Sequence, residues 1–405
     1  MTKSHSNISR FNLFFLFISI VWSPLQVYYL HIDGVGRTMM FLIVLATVLN
    51  LVKRQNKKNI IFYPAIACWT FLVAYSMINS LMKGYYGELR FMVFLRSNFL
   101  EPYVVLWIAF TELMRDKHRC LRCLLIALIV YMVIGSIHFD TLSEDERVIA
   151  EGLGNHLPLR AMVALFVASV LYVDKQLTRK RFAAVVLFSL YIIIISATRK
   201  ALGAGIIILI GTTFGKLKKL NVKNIVTICL VALVFYEGIN LIMNNTVMGQ
   251  RIEESSEGIY APLSSNREIN DFLLKVLGDR SIQYYDGFIA HRIAPLTGLG
   301  IENFQTVTQS DYRLHSEYMV HYCENGLIGF LLLLYFYHLL FVGIKKKKRK
   351  GQNMWLYWFG LLAILFINFT AWTYSNIGVM IMYAIILTQI YSKNTTIDYE
   401  NCNTP

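Results

Sequence analysis

The sequence is poor in charged residues and carries few cysteines. Of its 405 residues, 16% are charged and six are cysteine, whereas 56% are hydrophobic. A soluble globular protein has roughly a quarter of its residues charged, and a secreted disulfide scaffold is much richer in cysteine. A disordered chain contains far less apolar surface than this one. The composition therefore excludes all three classes.

The apolar residues occur in blocks, most of them close to the roughly 20 residues that a helix needs to cross a bilayer. They predict an all-α polytopic membrane protein with about 12 transmembrane helices. Segments 182–197 and 201–214 are short, so they fit either two spans or a re-entrant pair. The twelve segments are 11–31, 34–52, 60–81, 97–114, 121–138, 157–173, 182–197, 201–214, 225–243, 318–344, 354–372 and 377–391.

The Lys and Arg residues, which give a net charge of +14, are concentrated in alternate loops between these segments. Because Lys and Arg in short loops mark the cytoplasmic side, we expect both termini in the cytoplasm. A nucleic-acid footprint would instead be a basic face on a soluble domain, so no nucleic-acid partner is expected. The run 345–350 is typical of an orientation anchor, with binding to anionic lipid as a minor addition.

We expect a single integral membrane domain, 1–405, with one large outward-facing loop at 244–317 between the ninth and tenth segments. The loop is polar and is the only extramembrane region long enough to fold on its own. Within it, helical spacing places Arg280, Tyr284 and neighbouring apolar residues on adjoining faces. This pattern predicts a short amphipathic helix at the membrane interface.

Two cations, Arg199 and Lys200, form a tight turn on the side where cations are sparse. Such residues are either interfacial anchors or an anion site, since the planar Arg side chain suits phosphate oxygens. Arg160 lies near the outward end of its segment and could join the same anion site. Arg96 and Glu101, by contrast, are interpreted as a structural pair.

A third group begins at His315, next to the outward Arg clusters. His315 fits a general base, or an interfacial histidine bonded to backbone. Glu324 lies in an apolar segment, where a carboxylate is costly unless it pairs or lines a cavity. His315 and His321 are six residues apart and off a common helix face, so we expect no metal site.

In order, spacing and sidedness, these pieces resemble the O-antigen polymerase and O-antigen ligase family. The resemblance rests on the outward Arg turn at 196–201, the large loop, its Arg-led helix running into PLTGLGIENF at 295–304, and HSEY at 315–318 followed by a Glu and two Gly residues. Ser316 stands where Asn is common in the family, and Thr198 where Ser often precedes the Arg.

The resemblance implies a glycosyltransferase of the bacterial inner membrane that acts at its periplasmic face without metal, nucleotide or other cofactor. The donor would be an oligosaccharide on undecaprenyl diphosphate, and surrounding lipids and a chain-length regulator would be partners. Fixed cations would hold the diphosphate leaving group. The implied catalytic residues are His315, Arg280 and Arg199, and the implied substrate-binding residues are Lys200, Arg292, Tyr284, Tyr285, Glu317, Glu324 and Arg160.

The leading hypothesis is a repeat-unit polymerase, whose acceptor is another lipid-linked repeat unit. The O-antigen ligase, which transfers glycan to the lipid A core, has the same donor and motifs. A transporter of the lipid-linked glycan is a third alternative. Transporters tend to show two related halves and mid-membrane sites, whereas here the halves differ and the candidate residues lie on one side.

Overall fold

The structure is a computed structural model of the chain. It describes residues 3–28, 35–52, 63–84, 94–142, 147–150, 156–196, 198–216, 280–309, 313–371 and 373–392. The predicted segment 225–243 and most of the loop before residue 280 lie outside these ranges.

The described residues are almost entirely helical. The only sheet among them is a two-stranded antiparallel hairpin, in which β1 (Phe139–Leu142) pairs with β2 (Arg147–Ala150). A π-helical turn, Arg96–Leu100, leads directly into α4. The α-helices are α1 (Lys3–Tyr28), α2 (Val35–Val52), α3 (Pro64–Lys83), α4 (Glu101–Arg115), α5 (Lys117–Ile137), α6 (His156–Val173), α7 (Arg179–Ile195), α8 (Arg199–Lys216), α9 (Arg280–His291), α10 (Phe304–Thr308), α11 (Glu317–Cys323), α12 (Gly326–Arg349), α13 (Trp355–Asn368) and α14 (Ile377–Tyr391).

Several helices begin where the sequence supplies a capping residue. Asp116 accepts a hydrogen bond from the backbone N–H of Arg119 at the start of α5. Thr178 accepts one from the backbone N–H of Arg181 at the start of α7. Asn376 accepts from Gly378 and Val379 at the start of α14. Short polar side chains satisfy the free N–H groups of a first helical turn, so these caps fix the helix boundaries.

The structure is that of a helical membrane protein. In the described ranges, five helical stretches are long and apolar enough to cross a membrane, and three shorter apolar stretches accompany them. The five are Asn7–Leu25, Pro64–Lys83, Lys117–Ile137, His156–Val173 and Gly326–Arg349. The shorter three are Met39–Asn50, Trp355–Asn368 and Ile377–Tyr391.

Residues 318–344 do not form the single continuous helix that the apolar pattern predicts. The chain leaves α11 after Cys323 and enters α12 at Gly326, which has a φ of 63°. A positive φ is readily adopted by glycine, so the backbone turns here. The predicted tenth segment is therefore two helices, and Glu324 lies in the turn between them.

The helices run between two ends of a bundle. At one end, the Lys117 end, the ammonium of Lys117 lies 2.7 Å from Asp174 and donates to Tyr357 and Gln389. These residues mark the start of α5, the end of α6, the start of α13 and the end of α14. At the opposite end, the Arg160 end, Arg160 near the start of α6 meets the start of α14.

At the Arg160 end, two segments pack tightly into what we term the interlocked unit, residues 294–300 and 323–328. Backbone hydrogen bonds join Leu299 to Cys323, Gly300 to Glu324 and Leu327 to Pro295. A Cβ atom on Gly298 would overlap the backbone of residues 324 and 326. The side chains of α3 complete the unit: Tyr75, Asn79 and Ser80 all bond to its backbone or to that of Ile301.

Candidate functional site

A cavity of about 320 Å³, which we term the cationic cavity, opens at the Arg160 end of the bundle. Its charged and ionisable lining consists of Arg96, Glu101, His156 and Arg160. Hydroxyl and amide groups from α1, α5 and the turn before α14 complete the wall, among them Tyr131. Polar groups from five separate segments therefore converge on one space.

Arg160 is held inside the bundle by an apolar helix. Nearly every residue of α6 is buried, and Arg160 itself is only 6% exposed. One guanidinium nitrogen donates to the side-chain oxygen of Asn376 at 3.3 Å, and the guanidinium carbon lies 5.7 Å from the Tyr131 ring centre. Within the described ranges, Nε of Arg160 has no hydrogen-bond partner. A buried guanidinium that lines a cavity favours an anionic ligand there.

The cavity contains more cationic than anionic groups. Glu101 lies 3.7 Å from Nε of Arg96, an arrangement produced by the π-helical turn that precedes α4. The Glu101 carboxylate balances about one positive charge, whereas two guanidinium groups, those of Arg96 and Arg160, interact with it. Lys200 lies close enough to His156 to act on it electrostatically, together with Arg160. Of the predicted anion-site residues Arg160 and Lys200, Arg160 lines the cavity, whereas Lys200 acts on it through His156.

A turn at 373–376 connects the cavity to Glu317. The carboxylate of Glu317, 1% exposed, accepts hydrogen bonds from the backbone N–H groups of Thr373 and Tyr374 at 2.7 and 2.8 Å. Asn376, which bonds Arg160, follows directly. Charged acceptors form strong hydrogen bonds, so Glu317 fixes the turn from which Asn376 orients the guanidinium. Glu317, which was predicted to bind substrate, thus holds the backbone of the 373–376 turn in this structure.

Glu317 also begins a buried chain of polar side chains along one face of α11. Nε2 of His321 lies 3.2 Å from the Glu317 carboxylate, and Nδ1 lies 2.8 Å from the side-chain amide of Asn325. All three residues are buried. His321 is therefore committed to this network and is closed to solvent.

His315 lies just before this network and is exposed. The residue after it, Ser316, is buried and donates to the backbone oxygen of Asn368. His315 thus projects from a backbone that is anchored on its C-terminal side. Of these two histidines, His315 is the exposed one and is therefore placed to meet a substrate from outside.

Glu324 is buried in the turn between α11 and α12 and accepts a hydrogen bond from the backbone of Phe304 at 3.2 Å. Burial raises the pKa of this carboxyl from 4.5 to about 8, while hydrogen bonds from the backbone of residues 302 and 304 and the charge of Arg313 act in the opposite direction. The family resemblance implies a substrate-binding role for Glu324. The structure places it inside the packing of the interlocked unit.

The short helix predicted around Arg280 and Tyr284 is present as α9. His291 stacks on Tyr322 with ring centres 3.8 Å apart, and Phe288 meets the same ring edge-on. Tyr284 donates from its hydroxyl to the backbone oxygen of Phe369. These contacts dock one face of α9 on α11 and on the end of α13. Arg292 is exposed at its C-terminal end.

The side chains of Arg199, Arg280 and Tyr285 lie outside the part of the chain that the structure describes. The backbones of Arg199 and Arg280 are placed, each as the first residue of a helix, α8 and α9.

Sequence reasoning missed the contribution of Arg96, His156 and Asn376 to the cavity. Arg96 and Glu101 were recognised as a pair and were interpreted as structural. Polar residues in apolar segments usually face a bundle interior or cavity, and that signal could have grouped Arg96 with Arg160. Asn376 carries no such signal, because its position follows from helix packing.

No protein-family model and no curated protein matches the chain. Among the described residues, no group of three or more His, Cys, Asp or Glu side chains could hold a metal ion.

Proposed function

We propose that the protein is a repeat-unit polymerase of a bacterial surface polysaccharide of the O-antigen type. It would transfer a glycan from an undecaprenyl diphosphate carrier to a sugar hydroxyl of another lipid-linked repeat unit. The observation that carries the proposal is the cationic cavity, which is lined by Arg96 and buried Arg160 and by a single carboxylate, Glu101. A diphosphate leaving group is multiply anionic and is stabilised by fixed cations in a place of low polarity.

The proposal includes a membrane arrangement. The chain would cross the inner membrane about twelve times, with both termini in the cytoplasm. The Arg160 end would face the periplasm, together with the large loop. In support, the Lys-rich 345–350 run lies at the opposite end of α12 from the candidate site, as Lys and Arg do on cytoplasmic sides.

In the proposed reaction, the acceptor hydroxyl oxygen forms a bond to the anomeric carbon of the donor sugar. The bond between that carbon and the diphosphate oxygen breaks, and its electron pair leaves with the lipid diphosphate. His315 takes the hydroxyl proton, as an exposed imidazole can near neutral pH. Arg160, Arg96 and Lys200 stabilise the departing charge, and Arg199 and Arg280 would contribute from the helix starts that they occupy.

The first test is deletion of the gene in its host, followed by gel analysis of the surface lipopolysaccharide. Polymerase function predicts a core that carries a single repeat unit, because ligation continues. A bare core with long glycan on the carrier lipid would instead identify the ligase. An unchanged ladder would overturn the proposal for this polysaccharide.

The second test uses purified protein with a lipid-diphosphate-linked repeat unit as the only substrate. Wild-type protein should form dimers and longer products of the repeat unit, detected by mass spectrometry. The His315→Ala and Arg160→Met variants should form none, whereas a conservative change of exposed Arg349 should leave the product unchanged. Movement of the substrate across vesicles without any joining of units would favour the transporter.

A further inference from the structure

A second cavity, of about 520 Å³, lies at the Lys-rich end of α12, between this helix and α13. We term it the lipid groove. Its walls are apolar and aromatic and include Phe341, Trp355 and Trp358, and its polar lining includes Lys345 and Lys348. It lies at the far end of α12 from the cationic cavity, so the proposed function does not use it.

The aromatic walls of the groove are built by direct packing. Phe341 meets Trp358 edge-on with ring centres 4.4 Å apart, and the Lys348 ammonium lies 3.6 Å from the Trp355 ring centre. Val342, beside them, is 47% exposed. The groove is therefore open along an apolar side and bordered by two cations at its end.

The position of the lipid groove along α12 corresponds to a membrane boundary. α12 is one of the candidate spans, and its apolar stretch ends where the lysines begin. Tryptophan rings are enriched where the hydrocarbon meets the headgroups, and lysine side chains reach towards that level. An acyl chain beside Phe341 and Trp358 would thus place its headgroup next to Lys345 and Lys348.

The two groove lysines are distinct from others in the same run. Lys345 and Lys348 are three residues apart and so share a helix face. Lys347 donates to the backbone oxygen of Ser392 and ties the end of α14 to α12. Lys346 is exposed and does not line the groove. An anchor for orientation alone needs only the number of cations in the run, whereas the groove arranges two of them around an apolar space.

We propose that this groove binds one anionic phospholipid, with an acyl chain against Phe341 and Trp358 and its phosphate beside Lys345 and Lys348. Basic pockets between transmembrane helices on the side with most Lys and Arg are suited to acidic headgroups. The net charge of such a lipid matches the groove better than that of a zwitterionic lipid, whose own ammonium would oppose the lysines.

The test uses purified full-length protein in nanodiscs of phosphatidylcholine that contain a minor fraction of phosphatidylglycerol. In one preparation the phosphatidylglycerol carries dibrominated acyl chains, and in the other an equal fraction of phosphatidylcholine does. Bromine quenches tryptophan fluorescence at contact, so Trp355 and Trp358 report occupancy of the groove. We expect stronger quenching by the brominated anionic lipid, and the excess should disappear in a Trp355→Phe/Trp358→Phe variant.

Matched charge variants locate the binding. Lys345→Gln/Lys348→Gln should lower the apparent affinity for the anionic lipid by about tenfold, whereas Lys346→Gln/Lys350→Gln, with the same loss of charge, should leave it unchanged. Val342→Phe, which keeps every charge and narrows the groove, should also weaken binding. Equal losses in the two lysine variants would reduce the effect to general surface charge and overturn the proposal. Equal quenching by both brominated lipids in the wild type would do the same.

Discussion

The interlocked unit and the cationic cavity lie at the same end of the bundle but differ in whether their polar groups are paired within the protein. In the interlocked unit, backbone groups of 294–300 bond to those of 323–328, and a Cβ atom on Gly298 has no room. In the cationic cavity, about 320 Å³ of space adjoins Arg160, whose Nε has no partner within the described ranges. The first region is complete without a ligand, and the second is suited to receive one.

This difference changes the interpretation of the motifs that carried the family resemblance, because several of them lie in the interlocked unit. The glycine-rich PLTGLGIENF segment and the Glu-Asn-Gly turn form the interlocked unit, so their residue types follow from packing. Arg96 and Arg160, the cations that line the cationic cavity, come instead from segments outside those motifs. A recognisable motif can therefore mark residues that hold a site in place rather than residues that bind the ligand. Substitutions in the two regions should have different effects on stability and activity.

The largest effect is expected at Gly298. Its φ of 78° and its contact with the backbone of residues 324 and 326 leave no place for a methyl group. Gly298→Ala should destabilise the protein by roughly 4 kcal/mol or more, through strain and displaced backbone. Gly351 is the matched control, since it has a φ of 79° and nothing near its Cβ position. Gly351→Ala should cost only about 1 kcal/mol.

Thermal unfolding in detergent, followed by near-ultraviolet circular dichroism, measures both changes. Similar midpoints for the two alanine variants would mean that the interlocked unit is loosely packed.

The next effect separates activity from stability. Arg160→Met should lower glycan extension at least about 100-fold, while the free energy of unfolding stays unchanged or rises, because a buried guanidinium that shares one carboxylate, Glu101, with Arg96 is costly to desolvate. Arg115 is the control at the Lys117 end, where it lies 3.1 Å from buried Glu112. Arg115→Met should destabilise by about 1 kcal/mol and leave the activity of the folded protein intact.

Product formation per folded molecule, together with unfolding midpoints, gives both quantities. An active Arg160→Met variant would remove the cationic cavity from the proposed reaction.

A smaller effect is expected for Glu317. Glu317→Gln keeps one acceptor oxygen but removes the charge that holds Thr373 and Tyr374. Stability should fall by about 2 kcal/mol, since hydrogen bonds to charged groups are the stronger ones. Because Asn376 then positions Arg160 less well, the KM for the donor should rise more than kcat falls. Glu112→Gln, at a buried carboxylate at the Lys117 end that accepts from Ser9 and Asn12, should also lower stability but leave the KM unchanged.

A KM that stays constant as stability falls would limit Glu317 to a structural role.

The last effect concerns pH. Burial raises the pKa of Glu324 to about 8, so between pH 4.5 and 8 the folded protein keeps a proton that the unfolded chain has released. Stability should therefore fall as the pH rises through this window and level off above it. In Glu324→Gln this component is absent, and the unfolding midpoint measured from pH 5 to 9 should decline less steeply. Parallel curves for the two proteins would contradict the raised pKa.

Most of the long helices in the described ranges overlap predicted segments, because apolar runs bounded by Lys, Arg or caps specify them locally. α14 occupies the predicted 377–391. The break at Glu324 was missed, since it depends on bonds to Phe304 and to residues 295–300. Arg160 and Lys200 were predicted as anion-site residues from their charge, whereas Asn376 was not, because only packing brings it to α6. Local pattern specifies elements, and contacts distant in sequence specify the site.

The bonds between α3 and the interlocked unit have a consequence for biogenesis. Asn79 is made 218 residues before Thr297 and 245 before Glu324, the residues whose backbone oxygens it binds. Until synthesis reaches that point, α3 presents Ser76, Asn79 and Ser80 to lipid or to the insertion machinery. A nascent chain that ends before residue 297 would expose this polar stripe permanently. We expect such truncated chains to be retained by insertion factors and degraded, so the protein would accumulate only after its last third has been translated.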